Sequence, residues 1–281
     1  MNSFIFGYHP NGRSMEASLA ARGFEVWSVD LRRQGRSQRA GARGDRFGLA
    51  ELAVDDLGAA ISHVLGATST RAKAVDLIGC SLGAALIAGH LACVPTAPVG
   101  AVVSMGGCVT WKNVHPVLRL ASSFPRVIGL VPMPGTRQLA RVALPVVAKV
   151  APRLLSIYLH PETTDIRDAR TLVQTVENPS RFLNREIAEW IQRGELVLRG
   201  VNVSRALREM KQPLLCMVAK HDGIVPPETA RSMFDEMGSQ DKRLIEIGDA
   251  TFRVAHADLF IAREAETRVF SHVAQFLLER S

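Results

Sequence analysis

Short apolar runs rich in β-branched residues alternate along this chain with stretches whose apolar residues recur every three or four positions. Few folds accept that alternation. It is the signature of an open, mostly parallel sheet with helices on both faces, an α/β architecture. Strands are predicted at 24–31, 75–80, 100–109, 213–219 and 243–247, with helices between them. In the helix predicted over 51–66, Leu57, Ile61, Val64 and Leu65 share a face, and Asp55 and Asp56 sit toward its favourable N-terminal end. A last helix over 258–279 lines up Ala262, Ala265, Val269, Val273 and Phe276.

The alternation stops between residues 110 and 204. Prolines, including Pro116, Pro132, Pro134, Pro145 and Pro152, break that segment into helical pieces. One piece, Arg181–Arg193, carries a stripe of Phe182, Ile187, Trp190 and Ile191 and ends at Gly194. The expected division is a core of 1–109 and 205–281 with a helical cap or lid of 110–204 inserted into it.

Chemistry concentrates at three places. Gly79-Cys80-Ser81-Leu82-Gly83 matches G-x-S-x-G, with a predicted strand before it and a helical run after it. A nucleophile on so tight a strand-to-helix turn needs small neighbours on either side, because the strained backbone leaves little room for a Cβ. The helix N-terminus then faces developing negative charge, and the Leu82 N–H is placed to donate to it. Ser81 is the expected nucleophile, and Cys80 reads as a buried small residue. Among eight histidines, His256 alone lies in the loop between the last strand and the last helix, where the loops of an open parallel sheet converge. It is the expected general base. Asp222 follows directly on the strand 213–219 and is the favoured third member, with Asp249 and Asp258 as competitors; Asp258 reads as a cap of the final helix.

The order Ser81, Asp222, His256 resembles that of the α/β-hydrolases with a serine nucleophile. Residues 23–37, GFEVWSVDLRRQGRS, are similar to that family's G-[YF]-x-V…D-x-R-G-x-G-x-S stretch, with Arg33 and Gln34 where the family has Gly and His. Asp222-Gly223-Ile224-Val225-Pro226 resembles its acid loop, and His256-Ala257-Asp258 its histidine loop. Within the family the chain resembles lipases and esterases and, distantly, polyhydroxyalkanoate synthases. The resemblance implies cleavage of carboxylic esters through an acyl-enzyme. It also implies a second oxyanion donor near the amino terminus, where the Tyr8 N–H fits best and His9-Pro10-Asn11 offers another register. Only residues 4–8 precede the first helix, so the family's first two strands are expected to be absent. Segment 24–31 would then be an exposed sheet edge, which a homodimer would cover.

Composition narrows the rest. The chain has 281 residues, 47% hydrophobic and 22% charged, which excludes disorder. Four cysteines without a CxxC pair fit a reducing, cytoplasmic setting, and nothing in the pattern calls for a metal or an organic cofactor. Residues 77–111 lack charge, but glycines and prolines interrupt them, so no transmembrane segment is expected. Between Leu77 and Pro161 there is no acidic residue, while Lys112, Arg119, Arg126, Arg137, Arg141, Lys149 and Arg153 are basic. No nucleic-acid motif accompanies that charge, which fits either solvated helix faces or, with the hydrolase resemblance, a small acyl ester of anionic or lipid-like character. Two alternatives remain open: a thioesterase or acyltransferase whose basic cap holds coenzyme A phosphates, and a non-catalytic binding protein on the same scaffold.

Overall fold

The computed structural model describes residues 2–37, 47–128, 136–167, 169–177 and 180–281. Pro132 and Pro134 lie outside them. Four strands build the main sheet: β1 (Val75–Cys80), β2 (Val99–Met105), β3 (Leu214–Ala219) and β4 (Lys242–Ile247), in the order β1-β2-β3-β4. All three ladders are parallel, in register from Val102↔Leu214 and Leu214↔Lys242 outward. Every residue of β3 is buried, and its sequence LLCMVA has no polar alternation, because helices cover both faces of a parallel sheet.

Among the helices are α1 (Leu57–Ala67), α2 (Leu82–Cys93) and α6 (Ser271–Leu278) of the core, and α3 (Pro116–Ser122), α4 (Thr136–Val150) and α5 (Arg181–Arg193) of the segment 110–204. On one face α2 packs with Phe47, Leu52, Trp190 and Met233; on the other, Phe260, Phe270 and Phe276 pack with Ile5 and Leu159. Residues 84–91 of α2 are buried all round, which suits the apolar run ALIAG at its centre. Helix α5 is capped by Ser180, whose hydroxyl accepts from Phe182 N, and closes on Gly194 in the left-handed region at φ 76°. The Trp190 indole donates to the Val109 carbonyl at 2.8 Å, so α5 is pinned to the loop that follows β2.

Two expectations need correction. Segment 24–31 is not a strand: it has no ladder partner among the described residues, and Val26, Trp27 and Val29 are 37–41% exposed. Its β-branched and aromatic residues express a fit to a pleated surface, but a strand forms only where a neighbour accepts its hydrogen bonds. The outer edge of the sheet is therefore β1. Residues 4–7 form a helical turn, Phe4–Gly7, ahead of the helix Met15–Ala20. The last helix is broken into Asp258–Ile261, a wider turn Glu266–Phe270 and α6. Ala262 adopts extended backbone there, bridging Thr164, and the Arg263 N–H donates to the Thr163 carbonyl at 3.0 Å. The apolar stripe itself is sound, since Ala262, Ala265, Val269, Val273 and Phe276 are all buried.

Candidate active site

The turn between β1 and α2 holds Ser81 at φ 54°, ψ −119°, a region that residues with a Cβ rarely occupy. The surroundings impose it. The Ser81 N–H donates to the Met105 carbonyl at 3.0 Å, tying the turn to the end of β2. A Cβ on Gly79 would stand 2.5 Å from the Ala84 nitrogen and 2.7 Å from the Gly83 carbonyl carbon. Gly83, by contrast, has open space where a Cβ would go. Of the two glycines in G-x-S-x-G, only the first is sterically required.

Asp222 and His256 are brought together by the loops after β3 and β4. His256 Nδ1 lies 2.6 Å from Asp222 Oδ2, and both side chains are buried. The other carboxylate oxygen accepts the N–H groups of Ile224 at 2.8 Å and Val225 at 2.9 Å, which fixes the carboxylate before it meets the imidazole. His256 Nε2 is buried and has no hydrogen-bond partner among the described residues. Gly106 and Gly107 separate this pair from the serine turn. Gly106, at φ 59°, packs against the imidazole with a Cβ position 3.4 Å from it, and a Cβ on Gly107 would be 2.8 Å from the Ser81 carbonyl. In the sequence the double glycine reads only as the tail of a strand.

The competing carboxylates have other work. Asp249 accepts from Thr251 and Phe252 and pairs with Arg268 at 3.0 Å, which holds its carboxyl well below the usual range. Asp258 is not a helix cap. Fully buried, it accepts from Ala255 N at 2.8 Å, His160 N at 2.9 Å and Thr164 Oγ1, and so staples the histidine loop to residues 160–164. Burial pushes its carboxyl up to about 6. The Ala257 N–H also donates to the Tyr158 carbonyl at 2.8 Å, and the Tyr158 ring lies 6.1 Å from that of His256. Neither contact leaves a trace in the sequence, since each joins residues about a hundred positions apart or has no local pattern.

A cavity of about 190 Å³ opens beside Ser81, lined by Asn2, Ser3, Phe6, Gln34 and Leu82 among others. Tyr8 and His256 do not line it. Tyr8 is the residue that ends the Phe4–Gly7 turn, and its ring stacks on Phe4 at 5.0 Å. His9 is drawn off to the Ala262 carbonyl at 2.9 Å, and Asn11 to Asp165 at 2.9 Å. The Cys80 thiol is pushed up to about 12 by burial, which makes it a poor nucleophile at neutral pH. Among the described residues no group of three His, Cys, Asp or Glu side chains could hold a metal ion, and no helix is long and apolar enough to cross a membrane.

A family model described as serine aminopeptidase, S33, matches residues 13–251. The chain belongs to this family of α/β-hydrolases. No curated protein matches it. Solved structures share its fold at low identity. A monoacylglycerol lipase from Paleococcus ferrophilus is 21% identical, covers 95% of this chain and 88% of its own, and superposes with a TM-score of 0.60. A thermophilic esterase from Thermogutta terrifontis is 18% identical over 97% of this chain and 88% of its own, with a TM-score of 0.62. A meta-cleavage product hydrolase from Pseudomonas fluorescens IP01 is 14% identical over 95% and 84%, with a TM-score of 0.62. At these identities the likeness is one of fold.

Proposed function

We propose that this α/β-hydrolase is a serine hydrolase of carboxylic esters, with Ser81 as nucleophile, His256 as general base and Asp222 as the group that orients the imidazole. The observation that carries the reading is the buried His256–Asp222 pair at 2.6 Å, whose unpartnered Nε2 is separated from a strained Ser81 by two glycines. Asp222 holds the proton on Nδ1, leaving Nε2 free to take the proton of Ser81 as its oxygen attacks the ester carbonyl. The tetrahedral oxyanion forms at the N-terminus of α2, where the Leu82 N–H donates to it, and the Tyr8 N–H is the second donor this reading calls for. His256 then returns the proton to the leaving alcohol, and water repeats the cycle on the acyl-enzyme. Residues 110–204 serve as a cap, whose exposed Arg119, Arg126, Arg141, Lys149 and Arg153 make no ion pair among the described residues and favour an anionic or lipid-like acyl ester. The four free cysteines fit a cytoplasmic setting.

Ester cleavage is favoured over peptide cleavage by the lipases and esterases among the structural relatives. The test is hydrolysis of p-nitrophenyl esters from acetate to palmitate by the wild-type protein and by Ser81→Ala. Turnover that disappears in the variant is the expected result, and the preferred chain length sizes the acyl site. A folded wild type as inert as the variant would overturn the reading. Inhibition by free coenzyme A would move it to a thioesterase or acyltransferase.

A further inference from the structure

We propose that helix α4 docks the protein on the surface of a lipid bilayer rich in anionic headgroups, with Leu139, Val142, Val146 and Val150 entering the acyl boundary. Spacings of three and four place these four residues on one side of α4. All four face solvent, at 55–77% exposed. The fold makes its own use of the opposite side, where Leu144 packs inward against the cluster that contains Leu159 and Phe260. Helix α4 is thus apolar on two sides, and packing among the described residues accounts for one of them. Four neighbouring large apolar side chains left in water call for another surface to cover them.

Charge identifies that surface. No Asp or Glu occurs from Leu77 to Pro161. Arg141 and Lys149 are exposed on α4 itself, Arg153 follows it, and none of the three forms an ion pair among the described residues. A second copy of the chain would bring cations against cations, and a nucleic acid would leave the stripe in water. The stripe offers a protein partner no aromatic anchor, whereas a bilayer asks only for apolar area beside positive charge. Anionic lipid satisfies both features at once, with the apolar side chains below the headgroups and the long basic side chains among them. Among the described residues no helix is long and apolar enough to cross a membrane, so the geometry is that of a helix lying on the surface. At 15 residues, α4 runs about 22 Å along it. The inference is independent of the hydrolytic reading, because surface binding requires no catalysis.

The test is flotation of the full chain with vesicles of phosphatidylcholine alone and with about 30% phosphatidylglycerol added. The anionic vesicles should bind the chain about tenfold more tightly or better, and the gain should vanish as salt is raised. Val142→Gln combined with Val146→Gln keeps every charge and alters only exposed side chains. That double variant should unfold at the wild-type temperature and bind the anionic vesicles about tenfold more weakly or worse. In Val146→Trp, brominated acyl chains should quench the introduced indole beyond any quenching of Trp27, Trp111 and Trp190 in the wild type. The proposal is overturned if the anionic vesicles do not bind, or if the indole at position 146 is not quenched. It is equally overturned if the double glutamine variant binds as well as the wild type, which would leave charge attraction alone. Self-association without vesicles that the double variant abolishes would also overturn it, because a second copy would then cover the stripe.

Discussion

Alanine at the two glycines of the serine turn should have opposite effects, although the sequence pattern treats them alike. In Gly79→Ala the new methyl would lie 2.5 Å from Ala84 N and 2.7 Å from Ala84 Cα, both backbone atoms. Ordinary contact needs about 1 Å more, so the first turn of α2 must move, and overpacking of this kind costs about 1–3 kcal/mol. The displaced atoms belong to the turn that sets Ser81 at φ 54°, and a shift of about 1 Å at a reacting group lowers turnover by about 10²-fold. In Gly83→Ala the methyl meets nothing within 4 Å, and the residue sits in the first turn of α2 without a positive φ. Helix propensity then favours alanine by up to about 1 kcal/mol. For a chain of this size 1 kcal/mol moves Tm by roughly 2 °C, so the two variants should separate by several degrees around the wild type. Thermal unfolding followed by circular dichroism, with p-nitrophenyl ester turnover on the same samples, measures both effects. If Gly83→Ala is as destabilised and inactive as Gly79→Ala, the steric account of the turn is wrong.

Asp222→Asn should keep the fold, because the amide oxygen still accepts the Ile224 and Val225 N–H groups, but it frees the His256 tautomer and should lower kcat by about 10⁴-fold. A loss under tenfold would remove Asp222 from the proposed triad. Asp258 should make stability depend on pH with an unusual sign. Folding raises its carboxyl from 3.8 to about 6 by burial, so the folded chain holds that proton more tightly and this group's contribution falls as pH rises from about 4 to 6. The span is on the order of 3 kcal/mol, and Asp258→Asn should flatten it in urea unfolding at pH 4.5 and 7; parallel curves for the two proteins would refute the assignment. Thiol titration of the native protein at neutral pH should be slow, since burial raises all four thiols, with the half-buried Cys80 and Cys93 reacting ahead of the buried Cys108 and Cys216. Rapid modification of Cys108 or Cys216 would contradict their burial.

Ser81, His256 and Asp222 stand out as candidates in the amino-acid sequence because each sits in a short local pattern: a glycine ahead of a tight strand-to-helix turn, a polar residue soon after a core strand, a histidine in the last loop. The two central strands, β2 and β3, are legible for the same reason, since a continuous apolar run bounded by turns suits a sheet covered on both faces. The amino-acid sequence by itself thus determined the α/β class, the order of the candidate site residues and the apolar stripe from Ala262 to Phe276. Tertiary structure alone decided that segment 24–31 lies unpaired beside β1, that the final helix breaks at Ala262, that Asp258 staples the histidine loop to residues 160–164, and that Gly79 is crowded while Gly83 is not. The reason is common to all four. Propensity and spacing are properties of a few neighbouring residues, whereas a ladder partner, a bridging carbonyl or the room for one methyl is supplied by residues brought close only when the chain has folded.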